Sequence, residues 1–269
     1  MDLNTIETLR RARTREDLLL APGETFLAGG TWLFSEPQVQ RTGLVDLSTM
    51  GWKSIEHTPE GLRIGATCTI AELSRISPRA GWAAHPIFFQ AAGALLASFK
   101  IWNVATVGGN ICRSYAAAAM VSLGAALDAT ALIWTADGGE YVLPVAEIST
   151  GNGTNVLAEG DVLRCVDIPA HALRARTGFR KIALAELGRS AAVLTGRLDE
   201  SGAAVFTVTA STLRPRVLRY DALPTSARLR EDVRAADDYY TDPLGTADWR
   251  RAVSAVLCEE IRQELLLWT

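Results

Sequence analysis

Cysteine is scarce, with four in 269 residues, and Cys68, Cys112, Cys165 and Cys258 stand dozens of positions apart. No CxxC pair or Cys–His cluster results, so the sequence encodes neither a zinc site nor a redox dithiol. An iron–sulfur cluster lacks the grouped thiolates it needs. A disulfide framework does not suit this size and spacing. Histidine is rarer still: His57, His85 and His171 are scattered, with no paired carboxylate to suggest a metal site or a nucleophilic triad. A basic excess is missing too, since 27 Lys plus Arg against 30 Asp plus Glu leaves a charge of −3. Nucleic acid and membrane surfaces are therefore not expected partners, because clustered cations supply most of the affinity for phosphate backbones. The longest apolar run, Ala116 to Leu127, is shorter than the roughly 20 residues that span a bilayer. The N-terminal stretch, with Asp2, Glu7 and Glu16 among its arginines, lacks the apolar core of a signal peptide. A cytoplasmic chain is expected.

What is present is a globular composition, 48% hydrophobic and 21% charged. The predicted fold class is α+β. Glu24 to Ala28 reads as a buried strand running into Gly29-Gly30, and Leu44 to Leu47 as a second strand after an intervening helix that Pro37 keeps short. That is a small βαβ unit. Strands follow at Ile55–His57 and Leu62–Ala66, then a helix capped by Thr69 and a buried helix opened by Pro86. A loop from Lys100 to Arg113 leads into an alanine-rich helix over Tyr115–Leu127. The Ala131–Trp134 and Glu140–Leu143 hairpin and a strand over Val162–Ile168 complete a mixed sheet with helices. Beyond the linker His171–Arg176, the runs Phe179–Leu184, Ala191–Leu198 and Val205–Ala210 predict a small antiparallel sheet. Helices over Leu223–Ala236 and Thr246–Leu267 close the chain. The expected division is residues 1–172 (parts 1–54 and 55–172) and 173–269.

Two glycine pairs carry the chemical signal: Ala28-Gly29-Gly30-Thr31 after the first strand and Thr106-Val107-Gly108-Gly109-Asn110 in the long loop. Glycine permits positive φ and close ligand approach, and consecutive amides pointing one way form an anion-binding concavity. Both pairs are credible cradles for a pyrophosphate, or simple tight turns. Neither matches GxGxxG or GxxxxGK[ST].

Together these segments resemble the FAD-binding medium subunit of molybdenum-containing hydroxylases, the relatives of xanthine dehydrogenase and aerobic carbon monoxide dehydrogenase. The markers are LAGGTWL (Leu27–Leu33), LRIGATCTIAEL (Leu62–Leu73), NVATVGGN (Asn103–Asn110), the strand end Leu163–Pro169, FRK (Phe179–Lys181) and the Thr246–Leu267 helix. The order and spacing of the two glycine motifs make the resemblance specific. It implies that residues 1–172 bind FAD between the two loops, through Leu27, Ala28, Gly29, Gly30, Thr31, Trp32 and Leu33 and through Thr106, Val107, Gly108, Gly109 and Asn110. It also places Leu163 near the flavin ring and Lys181 near the cofactor. No residue is implied as a catalytic acid or base, or as a metal ligand.

The implied role is electron transfer, from iron–sulfur clusters through FAD to an external acceptor such as NAD or oxygen. The implied partners are a large molybdopterin-binding subunit and a small subunit with two [2Fe–2S] clusters, in a heterotrimer. FAD is expected to be noncovalent, since neither loop's turn holds a His or Cys. Three positions depart from the family pattern: Trp32 replaces a small or polar residue, Trp102 interrupts an Ile-Arg-Asn run, and Ala119 takes the place of an aspartate that often contacts the cofactor. Restoring that aspartate is expected to tighten FAD by on the order of 1 kcal/mol. Gly109→Val is expected to abolish FAD binding without unfolding. Two other readings stay open: a scaffold subunit with a decayed flavin site, and a free-standing flavoprotein oxidase.

Overall fold

In the computed structural model, residues 3–186 and 188–267 are described; Asp2 lies outside them. Near the N-terminus, β1 (Thr8–Arg11) and β2 (Glu24–Leu27) each pair in parallel with β3 (Gly43–Asp46), giving the order β1-β3-β2. The Arg10 guanidinium clamps the Glu24 carboxylate at 2.7 and 2.8 Å, and this bond holds the Glu24 pKa below the usual carboxylate value. Between β2 and β3 the structure differs from expectation. Residues 31–36 form consecutive turns, and no helix intervenes.

The second sheet is antiparallel, ordered β4 (Ile55–Thr58), β5 (Gly61–Gly65), β10 (Val162–Pro169), β6 (Thr130–Trp134) and β7 (Glu140–Pro144). A two-stranded hairpin, β8 (Ser149–Gly151) and β9 (Thr154–Asn155), lies beside it in sequence. Helix α1 (Ile70–Ser74) begins with a capping box: Thr69 Oγ1 accepts from the Glu72 amide while the Glu72 carboxylate accepts from the Thr69 amide. Helix α2 (Pro86–Ala94) carries proline in its first turn, as expected. The expected loop from Lys100 to Arg113 contains two helices instead, α3 (Phe99–Trp102) and α4 (Val107–Arg113).

Every residue of α5 (Ala119–Ala126) is buried. Its apolar and small side chains allow that, because the helix is packed from both sides. It joins the first core while the Ser122 hydroxyl meets Thr209 Oγ1 at 2.7 Å in the third sheet. The short helices α6 (Val145–Ile148) and α7 (Ala170–Arg174) complete this half.

The third sheet runs β11 (Arg176–Ile182), β12 (Ala192–Leu198), β13 (Ala204–Thr209) and β14 (Arg216–Tyr220), all antiparallel. All residues of β12 and β13 are buried, as a sheet covered on both faces requires. One cover is α9 (Ala247–Leu266), which packs with α8 (Ser226–Arg234) into a second core around Leu194, Phe206, Leu229 and Ile261. Gly196 admits α9: a Cβ there would lie 2.4 Å from Ile261 Cγ2. Arg197, fully buried, joins the halves by donating to the Ala126 carbonyl at 3.0 Å and to Asp199 and Asp128. Among the described residues no helix is long and apolar enough to cross a membrane.

Candidate functional site

Strand β2 ends at Leu27, and Ala28 leads into the first glycine pair. A Cβ on Gly29 would stand 1.9 Å from the Val104 carbonyl oxygen, so only glycine lets this loop touch the segment preceding the second pair. Gly30 has φ +68°, the left-handed conformation that glycine adopts without strain. The chain then turns, with the Phe34 amide donating to the Gly30 carbonyl at 2.8 Å and the Ser35 amide to the Trp32 carbonyl at 2.9 Å. Among the described residues, the amides of Gly29, Gly30, Thr31, Trp32 and Leu33 have no acceptor, and neither does the Thr31 hydroxyl. All five residues are half-buried. Successive unpaired N–H groups in that setting form a site that acceptor oxygens complete.

The second pair is built differently. Thr106 caps α4, and its Oγ1 accepts from the Gly109 amide at 3.0 Å. The Val107 amide donates to the Cys68 carbonyl (2.8 Å), Gly108 to Ala66 (2.9 Å) and Asn110 to Thr106 (3.0 Å). A Cβ on Gly108 would lie 2.6 Å from the Ala66 Cβ, so this glycine is there for close packing. Neither Gly108 nor Gly109 has a positive φ. The expectation that both pairs expose successive amides therefore holds for the first and fails for the second, whose amides are already bonded. Asn110 is also engaged, its Oδ1 accepting from the Met120 amide at 2.9 Å and so tying α4 to α5. Because Gly29 rests on Val104, this second segment buttresses the first loop.

Leu163 is 3% exposed and belongs to the first core, opposite Ile133 on β6. Nearby on α4, burial pushes the Cys112 thiol up to about 12, so Cys112 is not a nucleophile for tethering a cofactor. Lys181 lies on β11 on the same face as Phe179, which packs against the first core. Desolvation lowers its pKa, and no ion pair or hydrogen bond joins it to either glycine loop among the described residues. Trp102 packs against the first core. Ala119 is 1% exposed within that core, so an aspartate there would enter apolar packing; the expected gain in affinity gives way to a burial cost.

One neighbour of the site escaped the sequence reading. Arg113, the last residue of α4, lays its guanidinium over the Trp32 ring with 3.6 Å between Cζ and the centroid, and over Tyr115 at 4.5 Å. The only cue in the sequence is an arginine shortly after a glycine pair. The contact with Trp32 is tertiary. Elsewhere, no three His, Cys, Asp or Glu side chains among the described residues form a metal-ligand set.

The groups left open here are donors: amides, a hydroxyl and a guanidinium. They fit a ligand segment made of acceptors and negative charge, as the diphosphate of a dinucleotide is. Comparison with known proteins gives the family. The family described as the FAD binding domain in molybdopterin dehydrogenase matches residues 4–171. Among solved structures, quinoline 2-oxidoreductase from Pseudomonas putida 86 superposes with a TM-score of 0.80 at 20% identity, covering 98% of this chain and 99% of that one. CO dehydrogenase from Oligotropha carboxidovorans gives 0.82 at 20% identity, covering 95% and 96%. Carbon monoxide dehydrogenase from Hydrogenophaga pseudoflava gives 0.81 at 19% identity, covering 95% and 96%. At these identities the likeness establishes the fold. No curated protein sequence matches significantly. With more than half its length matched, the chain belongs to the FAD-binding family of the molybdopterin dehydrogenases: it is a flavoprotein oxidoreductase subunit whose cofactor is FAD.

Proposed function

We propose that this chain is the electron-transfer subunit of a molybdenum hydroxylase complex, taking electrons from the iron–sulfur clusters of one partner and delivering them to an external acceptor such as NAD or oxygen. The observation that carries the reading is the run of five acceptor-free amides from Gly29 to Leu33 beside a buttressing second loop. Bound FAD supplies chemistry that side chains lack, since a flavin exchanges electrons singly or in pairs. The amides of Gly29–Leu33 and the Thr31 hydroxyl hold its diphosphate, with Leu27 and Ala28 delivering the loop. Thr106, Val107, Gly108, Gly109 and Asn110 fix the wall against which that loop rests. Leu163 forms the apolar floor beneath α4, and Lys181, on β11, is a further cation for the cofactor. None of these residues is a carboxylate or imidazole, so the site binds and orients without moving a substrate proton.

The reading assigns the molybdopterin to a large partner subunit and two [2Fe–2S] clusters to a small one. The test is purification of the full chain alone and with co-expressed partners. The isolated chain should bind close to one FAD, release it intact on acid denaturation, and resist reduction by substrate. The assembled complex should reduce its flavin when substrate is added. A chain that takes up no flavin would support the scaffold reading, and flavin reduction by substrate in the isolated chain would support the oxidase.

A further inference from the structure

We infer that Arg113 is a cofactor-binding residue, supplying from α4 the positive charge that complements the free amides of the first glycine loop. The inference rests on the FAD reading above and assigns a side chain to it. The guanidinium is held between two aromatic faces, Trp32 at 3.6 Å and Tyr115 at 4.5 Å, and its Nη2 donates to the Tyr115 hydroxyl at 2.9 Å. A cation in such a slot is fixed in position without being neutralised. No carboxylate pairs with Arg113 among the described residues, and its Nε is buried with no hydrogen-bond partner.

The surrounding backbone keeps it there. Ser114, buried, takes φ +52° to end α4, and its hydroxyl bonds the Ile111 carbonyl at 2.8 Å. Asn155 Nδ2 donates to the Cys112 carbonyl at 2.7 Å, and the Gly153 amide to the Ser114 carbonyl at 2.9 Å. The β8–β9 hairpin thus braces the turn that carries Arg113. Gly153, at φ +86°, lies against the Tyr115 ring: a Cβ there would be 3.5 Å from it.

A half-buried, unneutralised cation is costly unless an anion completes it. Trp32, on which it stacks, belongs to the loop with unpaired amides, so both sets of donors face one ligand. The ionised part of FAD at neutral pH is its diphosphate. Arg113 therefore contributes affinity for the charged middle of the cofactor and not for its ring systems.

The test compares the full chain with Arg113→Met and Arg113→Lys, titrating apo-protein with FAD by flavin fluorescence at several salt concentrations. Arg113→Met should weaken FAD about tenfold or more, the size of one charge-assisted hydrogen bond. It should also flatten the salt dependence of the dissociation constant. Arg113→Lys should keep the salt dependence and most of the affinity. Thermal melting of each apo-variant checks that the fold is retained. Unchanged affinity in Arg113→Met overturns the inference and leaves the FAD reading intact. So does an equal loss in both variants with the wild-type salt dependence, which would make the stack purely structural. Failure of the unaltered chain to bind FAD overturns the FAD reading itself.

Discussion

The two glycine pairs look alike in sequence and do opposite work. At Gly29-Gly30 the backbone takes a left-handed turn, and the next amides are left without acceptors. At Gly108-Gly109 the backbone is helical, its amides are bonded to Cys68, Ala66 and Thr106, and the missing Cβ makes room for Ala66. One pair leaves its amides open, and the other spends them within the protein. A glycine motif thus reports that a side chain is excluded. The hydrogen-bond inventory around it decides what takes the space.

The largest effect is expected at the point where the two meet. Gly29→Ala places a methyl group inside the Val104 carbonyl, so the loops must separate. A loss of about 3 kcal/mol in stability is expected from this overpacking, together with FAD binding too weak to titrate. Denaturant unfolding and flavin fluorescence check both.

The second pair sharpens the contrast, because its members are not equivalent. Gly108→Ala, with Ala66 in the way, should cost roughly 1–3 kcal/mol. Gly109→Ala meets only the Thr106 hydroxyl, at 2.9 Å, and alanine favours helix by about 1 kcal/mol, so the net change should lie near zero. Gly109 is helical and exposed and its φ is not positive, so the expected loss of FAD binding in Gly109→Val has no backbone cause. Equal losses at 108 and 109 would break the assignment of packing to one and exposure to the other.

Ala119 extends the same contrast, since Asn110 of the second loop caps the helix that Ala119 begins. Ala119→Asp should lower stability by roughly 1–3 kcal/mol through burial of a polar group, with no tightening of FAD. A lower dissociation constant would show that position 119 reaches the cofactor after all.

Acid gives the smallest effect. The pKa of Glu24, which begins the strand leading to the first loop, is lowered chiefly by its bond to Arg10. Its contribution is therefore complete above the ordinary glutamate pKa and lost as pH falls through the depressed folded value. Mild acid should weaken FAD binding in the parent chain and less so in Glu24→Gln, where the clamp is already gone; identical acid profiles would contradict this.

Much of this architecture is legible in the sequence, for identifiable reasons. The second sheet's strands alternate or run apolar between turn residues, and the Thr69 cap with Glu72 three positions on announces α1. β1 is silent because Thr8-Leu9-Arg10-Arg11 lies at a sheet edge with Leu9 60% exposed, and β14 is likewise a half-exposed edge strand rich in arginine. The helix expected after Gly30 stops at a single turn: the Phe34 amide bonds the Gly30 carbonyl, but Ser35 bonds Trp32 three residues back and Pro37 has no amide to continue the ladder. Helix α4 was unreadable for the converse reason: two glycines argue against helix, and only the Thr106 cap and the Ala66 contact stabilise one. At the site, the loops themselves were legible. Their division of labour was not, and neither was Arg113, because both depend on contacts between distant segments.

The most direct measurement of that division is amide hydrogen exchange of the full chain with and without FAD, followed in peptides covering residues 28–34 and 105–111. Without FAD, the Gly29–Leu33 amides should exchange quickly and Val107–Asn110 slowly, since only the latter have acceptors. Adding FAD should protect the first peptide strongly and leave the second nearly unchanged. Protection appearing in the second peptide while the first stays fast would contradict the account, by showing that the cofactor's phosphates rest on the other loop.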